Sequence, residues 1–315
     1  HTYNVEFRYL NSETENQNID MGKELSGTLY IDDKEVKIYG EYEEGTLGYK
    51  ILEDNPVRGV RSDFTKSFNS TNTGVLYTST ESIAGSVPET VYYFAGNATN
   101  NWVKFGGYYW RIIRTNHDGS IRMLYAGTSP DTTEGYIGKS KFNNSANDSM
   151  YGGYMYGTSG SLESNRTNEN GSTIKVVIDS WYANNLLSYT KYLSTEAVYC
   201  NDREIGSGTY TATGSERFNF MAHVRLNTNK TPTYDCTLPE DAFSGSNTKA
   251  KLAYPIGLMT ADEITYAGGY RWTSLVSSYA WYYLNSAGGS ITGSFWWWLL
   301  SPHCWDVTYV AVFAI

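Results

Sequence analysis

The chain has 315 residues, a formal net charge of −9 and three cysteines. This acidic balance repels phosphate backbones and no run of Lys or Arg interrupts it, so the sequence excludes nucleic acid as a partner. No apolar run approaches the roughly 20 residues of a membrane span, so membrane attachment would require an anchor outside this sequence.

The composition favours a binding protein without excluding a structural one. Charged residues make up 18% of the chain and aromatic residues 16%, whereas charged residues usually account for about 25%. Tyr and Trp offer large, rigid contact surfaces, while Ser, Gly and Asn adapt their hydrogen bonds, a combination typical of binding loops. A Tyr-rich extracellular β protein has the same composition, so both interpretations stay open.

Residues 1–55 contain short strand patterns, at 3–10, 27–31 and 35–42, and predict a small all-β module or stalk. The following residues, 56–74, are polar and lack periodicity. They predict a linker.

Residues 75–315 predict one large α+β domain with long loop insertions. Strand patterns occupy residues 90–94, 102–114 and 120–125, and an Asn-His-Asp-Gly turn at residues 116–119 joins the last two as a hairpin.

Two helices are predicted within this domain. Residues 172–188 place apolar side chains at helical spacing, and Ser172 can cap the start. A shorter helix begins after Thr260, with Asp262 and Glu263 in its first turn, where the helix dipole favours acids. Side chains at adjacent helical positions point in different directions, so these two carboxylates do not form a catalytic pair. We interpret them as capping acids.

The cysteines predict one disulfide. Cys200 and Cys236 flank a segment rich in Gly, Ser, Thr and Asn, which a covalent link would stabilise, whereas Cys304 lies far downstream. We expect Cys200 and Cys236 to be bridged and Cys304 to stay outside the bridge. Two buried thiols are the alternative.

Several segments resemble a family of surface proteins from gut-dwelling Firmicutes that adopt the C-type lectin fold. Trp298, Ser301 and Pro302 match a Trp-x-x-Ser-Pro signature that this family shares with formylglycine-generating-enzyme-like domains and with the variable proteins of diversity-generating retroelements. Other matching segments are residues 92–94, 101–105, 109–113, 178–182, 194–197, 200–203 and 254–263.

The resemblance covers residues 75–315 and implies a C-type lectin-like fold with two helices, short antiparallel strands and long loop insertions. It also implies an extracellular or cell-surface protein that binds a protein or carbohydrate ligand on another cell or surface. Relatives continue into a final strand that pairs with the first strand of the domain, so we expect the domain to be incomplete at its C-terminus.

The C-terminal stretch is the predicted recognition surface, with exposed polar and aromatic residues held by a frame of buried ones. Residues 279–315 contain no Lys, Glu, Gln or Met. A diversity-generating retroelement mutates Asn codons at the adenines of its template, and the codons that result do not encode these four residues. Trp codons contain no adenine and therefore stay unchanged. Buried strands avoid the same residues, so both explanations stay open. The candidate ligand-binding residues are Tyr279, Trp281, Tyr283, Asn285, Phe295, Trp296, His303, Cys304, Trp305, Asp306, Thr308 and Tyr309. The candidate structural residues are Cys200, Cys236, Trp298, Ser301 and Pro302.

Catalysis, a metal site and a cofactor are not expected. Formylglycine generation in the related fold uses a cysteine pair, whereas Cys304 is the one cysteine of the C-terminal region, and the four histidines lack metal-ligand spacing. The sequence therefore favours a ligand-binding surface protein, whether or not a retroelement diversifies its C-terminal stretch. A lectin or adhesin of fixed specificity and a structural filament or stalk subunit are the alternatives.

Overall fold

Two open β-sheets and a set of mostly short helices make up the part of the chain that the computed structural model describes, which is residues 38–67, 76–130, 132–211, 216–270, 297–306 and 309–314. These residues belong to one compact unit, Ile38–Ile315. The strands predicted at residues 3–10 and 27–31 lie outside the described residues.

The larger sheet has six strands in the order β3-β4-β5-β7-β6, with β8 paired to the other side of β7. Neighbouring strands are antiparallel apart from the parallel pair β3 and β4. These strands are β3 (Val57–Val60), β4 (Leu76–Glu81), β5 (Glu89–Phe94), β6 (Trp102–Phe105), β7 (Tyr108–Thr115) and β8 (Ile121–Tyr125).

The predicted hairpin at residues 116–119 is confirmed, since Asn116 N–H donates to the Ser120 carbonyl at 2.8 Å and Gly119 has φ of +75°. The single strand predicted over residues 102–114 is instead two strands. Gly106 and Gly107 separate them with φ values of +61° and +86°, a conformation that glycine adopts without steric cost and that reverses the chain between β6 and β7.

The smaller sheet has four antiparallel strands in the order β12-β13-β15-β16. Three further antiparallel pairs, β1 with β2, β9 with β10 and β11 with β14, tie loops together. The remaining strands are β1 (Ile38–Tyr39), β2 (Tyr42–Glu43), β9 (Met155–Tyr156), β10 (Asn170–Gly171), β11 (Tyr199–Cys200), β12 (Ile205–Gly208), β13 (Arg217–Phe220), β14 (Ala242–Phe243), β15 (Trp298–Asp306) and β16 (Tyr309–Ala314).

Both predicted helices are present. Ser172 caps the first and its side chain accepts from Lys175 N–H. The second begins with a capping box between Thr260 and Glu263 and ends at Gly268, whose φ of +118° suits glycine. The α-helices are α1 (Leu47–Asp54), α2 (Leu162–Asn165), α3 (Thr173–Asn185), α4 (Met221–Val224) and α5 (Ala261–Ala267).

The packing of residues 38–67 corrects the domain boundary predicted near residue 55. Helix α1 was assigned to the small β module, but its Ile51 and Leu52 are buried in one cluster with Leu76 of β4 and Ile112 of β7. The predicted linker contributes β3 to the larger sheet and buries Phe64. These residues pack with the large domain because α1 carries its apolar side chains on one face. The rest of the predicted β module, residues 1–37, lies outside the described residues.

Candidate functional site

Strands β15 and β16 carry the described part of the predicted recognition surface, and residues 299–302 of β15 are buried. Leu299 and Leu300 are at most 2% exposed, and Ser301 and Pro302 are also buried. Leu300 N–H donates to the Met259 carbonyl at 2.7 Å, and the Ser301 hydroxyl accepts from the first N–H of α5, at Ala261, at 3.0 Å. These bonds hold the Trp-x-x-Ser-Pro element against the start of α5 and the residues that precede it.

Trp298, the first residue of β15, and the preceding Trp297 are half-buried and pack against different clusters of the core. The Trp298 indole N–H donates to the Ser140 carbonyl at 3.0 Å, and its ring meets Phe142 edge-on at a centroid distance of 5.8 Å. Adjacent residues of a strand point to opposite faces, which explains the two packing partners. Trp298 therefore anchors the loop around Ser140.

His303 and Cys304 follow the buried residues 299–302 of β15 and are half-buried. The His303 ring lies 3.0 Å from Cys304 Sγ and makes a 2.7 Å hydrogen bond to His223, beyond the end of β13. The two rings meet at 74°, with centroids 4.2 Å apart. The pairing of β13 with β15 creates this contact, and the 80-residue separation hid it from the sequence.

The His223 and His303 pair is a hydrogen-bonded contact rather than a complete metal site. Across the described ranges, no group of three or more His, Cys, Asp and Glu side chains is arranged to hold a metal ion.

The backbone of β15 continues through Trp305 and Asp306, and Asp306 is the register partner of Tyr309 in β16. Strand pairing therefore brings Trp305, Asp306 and Tyr309 into the same sheet as His303 and Cys304. The other candidate ligand-binding residues lie outside the described residues, and they are Tyr279, Trp281, Tyr283, Asn285, Phe295, Trp296 and Thr308.

Buried ion pairs connect α5 to the sheets and loops around it. Glu263 lies 3.3 Å from Arg114 and 3.1 Å from Arg122, and all three side chains are buried. Burial acts to raise the pKa of Glu263, but the two guanidinium groups outweigh it and the pKa is lowered. Asp262 pairs with Arg225 at 2.7 Å. The predicted capping acids are thus also the ion-pair partners of three arginines.

A disulfide joins Cys200 of β11 to Cys236, as predicted, and Cys304 is outside the bridge. Next to it, the fully buried Arg203 pairs with Asp241. The guanidinium also donates to the Met155 and Glu240 carbonyls, at 2.9 and 2.8 Å. Covalent and ionic links therefore order the loop-rich insertions that precede α5.

No protein-family model, curated protein or solved structure matches this chain. In the ranges that the structure covers, none of the helices combines the length and apolarity needed to cross a lipid bilayer.

Proposed function

We propose that the chain is an extracellular or cell-surface ligand-binding protein of C-type lectin-like fold, with its recognition surface in residues 279–309. The ligand is a protein or a carbohydrate on another cell or surface. The resemblance of its motifs to the gut Firmicutes surface proteins supports this fold, as do the two open sheets, the two predicted helices and the long tethered insertions.

The change in burial along β15 is the observation that carries the proposal. Residues 299–302 are buried and Ser301 is bonded to α5, whereas His303 and Cys304 are only half-buried. A strand that is fixed by its buried residues can continue into a recognition surface without losing its position in the fold. The Cys200 to Cys236 disulfide supports an extracellular location, because such bonds persist in oxidising compartments.

The test is joint replacement of His303, Asp306, Thr308 and Tyr309 by Ala. If these side chains form the recognition surface, the variant should stay folded, because surface replacements usually stay within about 0.5 kcal/mol each, with about 1 kcal/mol more for the lost hydrogen bond between His303 and His223. Binding to a glycan array and to intact bacterial and epithelial cells should be lost, since a few anchors carry most of the affinity of an interface.

Joint replacement of the exposed Lys50 and Glu53 of α1 by Ala is the matched control and should leave binding intact. Unchanged binding by the quadruple variant would contradict the proposal, as would its unfolding. Binding to one glycan class alone would select the lectin alternative, and polymerisation of the purified protein without binding would select the filament subunit.

A further inference from the structure

A large apolar cavity runs along the outer edge of β8 and is called the β8 slot here. Its volume is about 1050 Å³. One wall is β8, the second is the face of α3 that carries Val177 and Trp181, and the third is the segment from Pro255 to Met259. All five residues of β8 line it, so the slot follows the strand over its whole length.

On the edge of β8 that faces the slot, no backbone group is paired with another strand of the described residues. Ala126 N–H donates to the Tyr109 carbonyl of β7 at 2.9 Å. Backbone groups alternate in direction along a strand, so Ile121, Met123 and Tyr125 direct their N–H and C=O groups away from β7. Within the described ranges, β7 is the one strand that pairs with β8, and no other backbone hydrogen bond reaches β8.

The lining is apolar and aromatic, and its charges have one sign. It contains Lys104, Arg122 and Lys139 but no Asp or Glu, although the whole chain has 33 acids against 24 Lys and Arg. Arg122 is engaged by Glu263. Lys104 and Lys139 are exposed, and each has an aromatic ring as its neighbour, Tyr109 and Tyr136, rather than a carboxylate. The slot thus offers an apolar surface with two available positive charges.

We propose that the β8 slot binds an extended apolar segment of another protein, which adds a strand to β8 and carries a carboxylate that meets Lys104 or Lys139. An unpaired strand edge supplies main-chain hydrogen bonds to such a segment, and the adjoining apolar walls receive alternate side chains. Complementary charge then orients the segment. Trp297 and Trp298, which lie within residues 279–309, also line the slot, but the strand pairing proposed for β8 does not depend on the recognition surface.

The test uses a synthetic seven-residue peptide that alternates Val or Ile with Thr and ends in Glu. Added to the full chain at about 1 mM, it should slow amide hydrogen exchange at Met123 and Tyr125, because their N–H groups become strand donors. A second peptide of identical sequence, with N-methyl groups on alternate amides, cannot complete the strand pairing. It should bind at least tenfold more weakly.

Two substitutions on α3 provide the matched variants. Val177 lines the slot, whereas the neighbouring Val176 is 57% exposed and does not. Val177→Arg should weaken peptide binding at least tenfold and Val176→Arg should leave it unchanged. Joint Lys104→Glu and Lys139→Glu substitution should weaken binding of the Glu-ended peptide but not of a Gln-ended one.

Three outcomes would overturn the proposal. The first is absence of exchange protection in β8 at about 1 mM peptide. The second is equal affinity for the N-methylated peptide, which would show that strand pairing is not involved. The third is displacement of the peptide by dodecanoate together with indifference to N-methylation, which would identify a site for anionic amphiphiles instead.

Discussion

Arg203 and Arg225 are two residues whose charges the fold pairs with carboxylates. Arg203 is fully buried and contacts Asp241 together with several carbonyl groups, so its charge and its donors are satisfied at once. Arg225 instead serves two carboxylates, Asp202 and Asp262. Because Arg225 is shared between two acids, it offsets only part of the cost of burying their charges. The stability of the fold therefore depends on pH.

Asp202 is the carboxylate that bears this cost. Burial raises its pKa to about 6, with Arg225 opposing and Asp262 adding to the rise. A group whose pKa is higher in the folded state stabilises the fold below its unfolded pKa, and that contribution is lost as pH rises through the folded value. This rise in pKa corresponds to about 2 to 3 kcal/mol of unfolding free energy, which we expect wild type to lose between about pH 4 and 6.

The variant Asp202→Asn has no carboxyl group to titrate at this position. As pH rises from about 4 to 6, the unfolding free energy of wild type should therefore fall relative to that of the variant. Urea denaturation at steps of pH measures it. Parallel stability curves for the two proteins would show that Asp202 titrates normally.

Trp298 links the start of β15 to the loop around Ser140 and to Phe142. Trp298→Ala should cost about 3 kcal/mol, the lower end of the range for large aromatic truncations, because the ring is half-buried. Trp298→Phe keeps most of the contact with Phe142 and loses the indole hydrogen bond, so about 1 kcal/mol is expected. Thermal and urea denaturation of both variants would decide, and equal costs would place the stabilisation in the hydrogen bond alone.

At the scale of elements, α5 joins the two sheets. Its capping box closes the N-terminus, its first N–H is bonded by Ser301 of β15, and Glu263 pairs with Arg114 of β7 and Arg122 of β8. One carboxylate thus serves the helix cap and two strands of the larger sheet. Its loss leaves two buried arginines without their shared partner.

Glu263→Gln should therefore destabilise the fold by about 3 to 5 kcal/mol, as expected when one partner of a buried ion pair is removed. The pKa of Glu263 is lowered in the folded state. Its contribution is therefore present above the unfolded pKa and lost as pH falls through the folded one. The difference between wild type and variant should shrink in acid.

Glu163→Gln is the matched control, since Glu163 is exposed and lies in the first turn of α2. Its cost should stay within about 0.5 kcal/mol. Equal unfolding free energies for the two Gln variants would mean that α5 is held by its apolar face alone.

At the scale of the whole molecule, one disulfide encloses much of the insertion before α5. The bridged cysteines are 36 residues apart, and a closed loop of this size corresponds to about 4 kcal/mol by chain entropy. Joint replacement of Cys200 and Cys236 by Ala should lower the free energy of unfolding by about that amount. Wild type unfolded in reductant serves as the control and should match the variant, while a loss below about 1 kcal/mol would show that the enclosed segment is ordered without the bridge.

Local features of this chain were predicted correctly because they depend on residues close in sequence. The Ser172 and Thr260 caps, the turn at residues 116–119 and the ends of α5 rest on side chains that bond backbone groups within a few positions. The Cys200 to Cys236 bridge was found from the composition of the segment between the cysteines. The class of the fold, mixed α and β with short strands, follows from such features.

Contacts between residues that are distant in sequence were decided only by the tertiary structure. The sequence alone did not place α1 in the main core, bring His223 to His303, or give Glu263 two arginine partners. It also did not show that β8, among the described strands, pairs with β7 alone and lies beside an apolar slot. Each depends on which strands pair and which faces pack, and hydrophobic periodicity specifies that a face is buried but not against what.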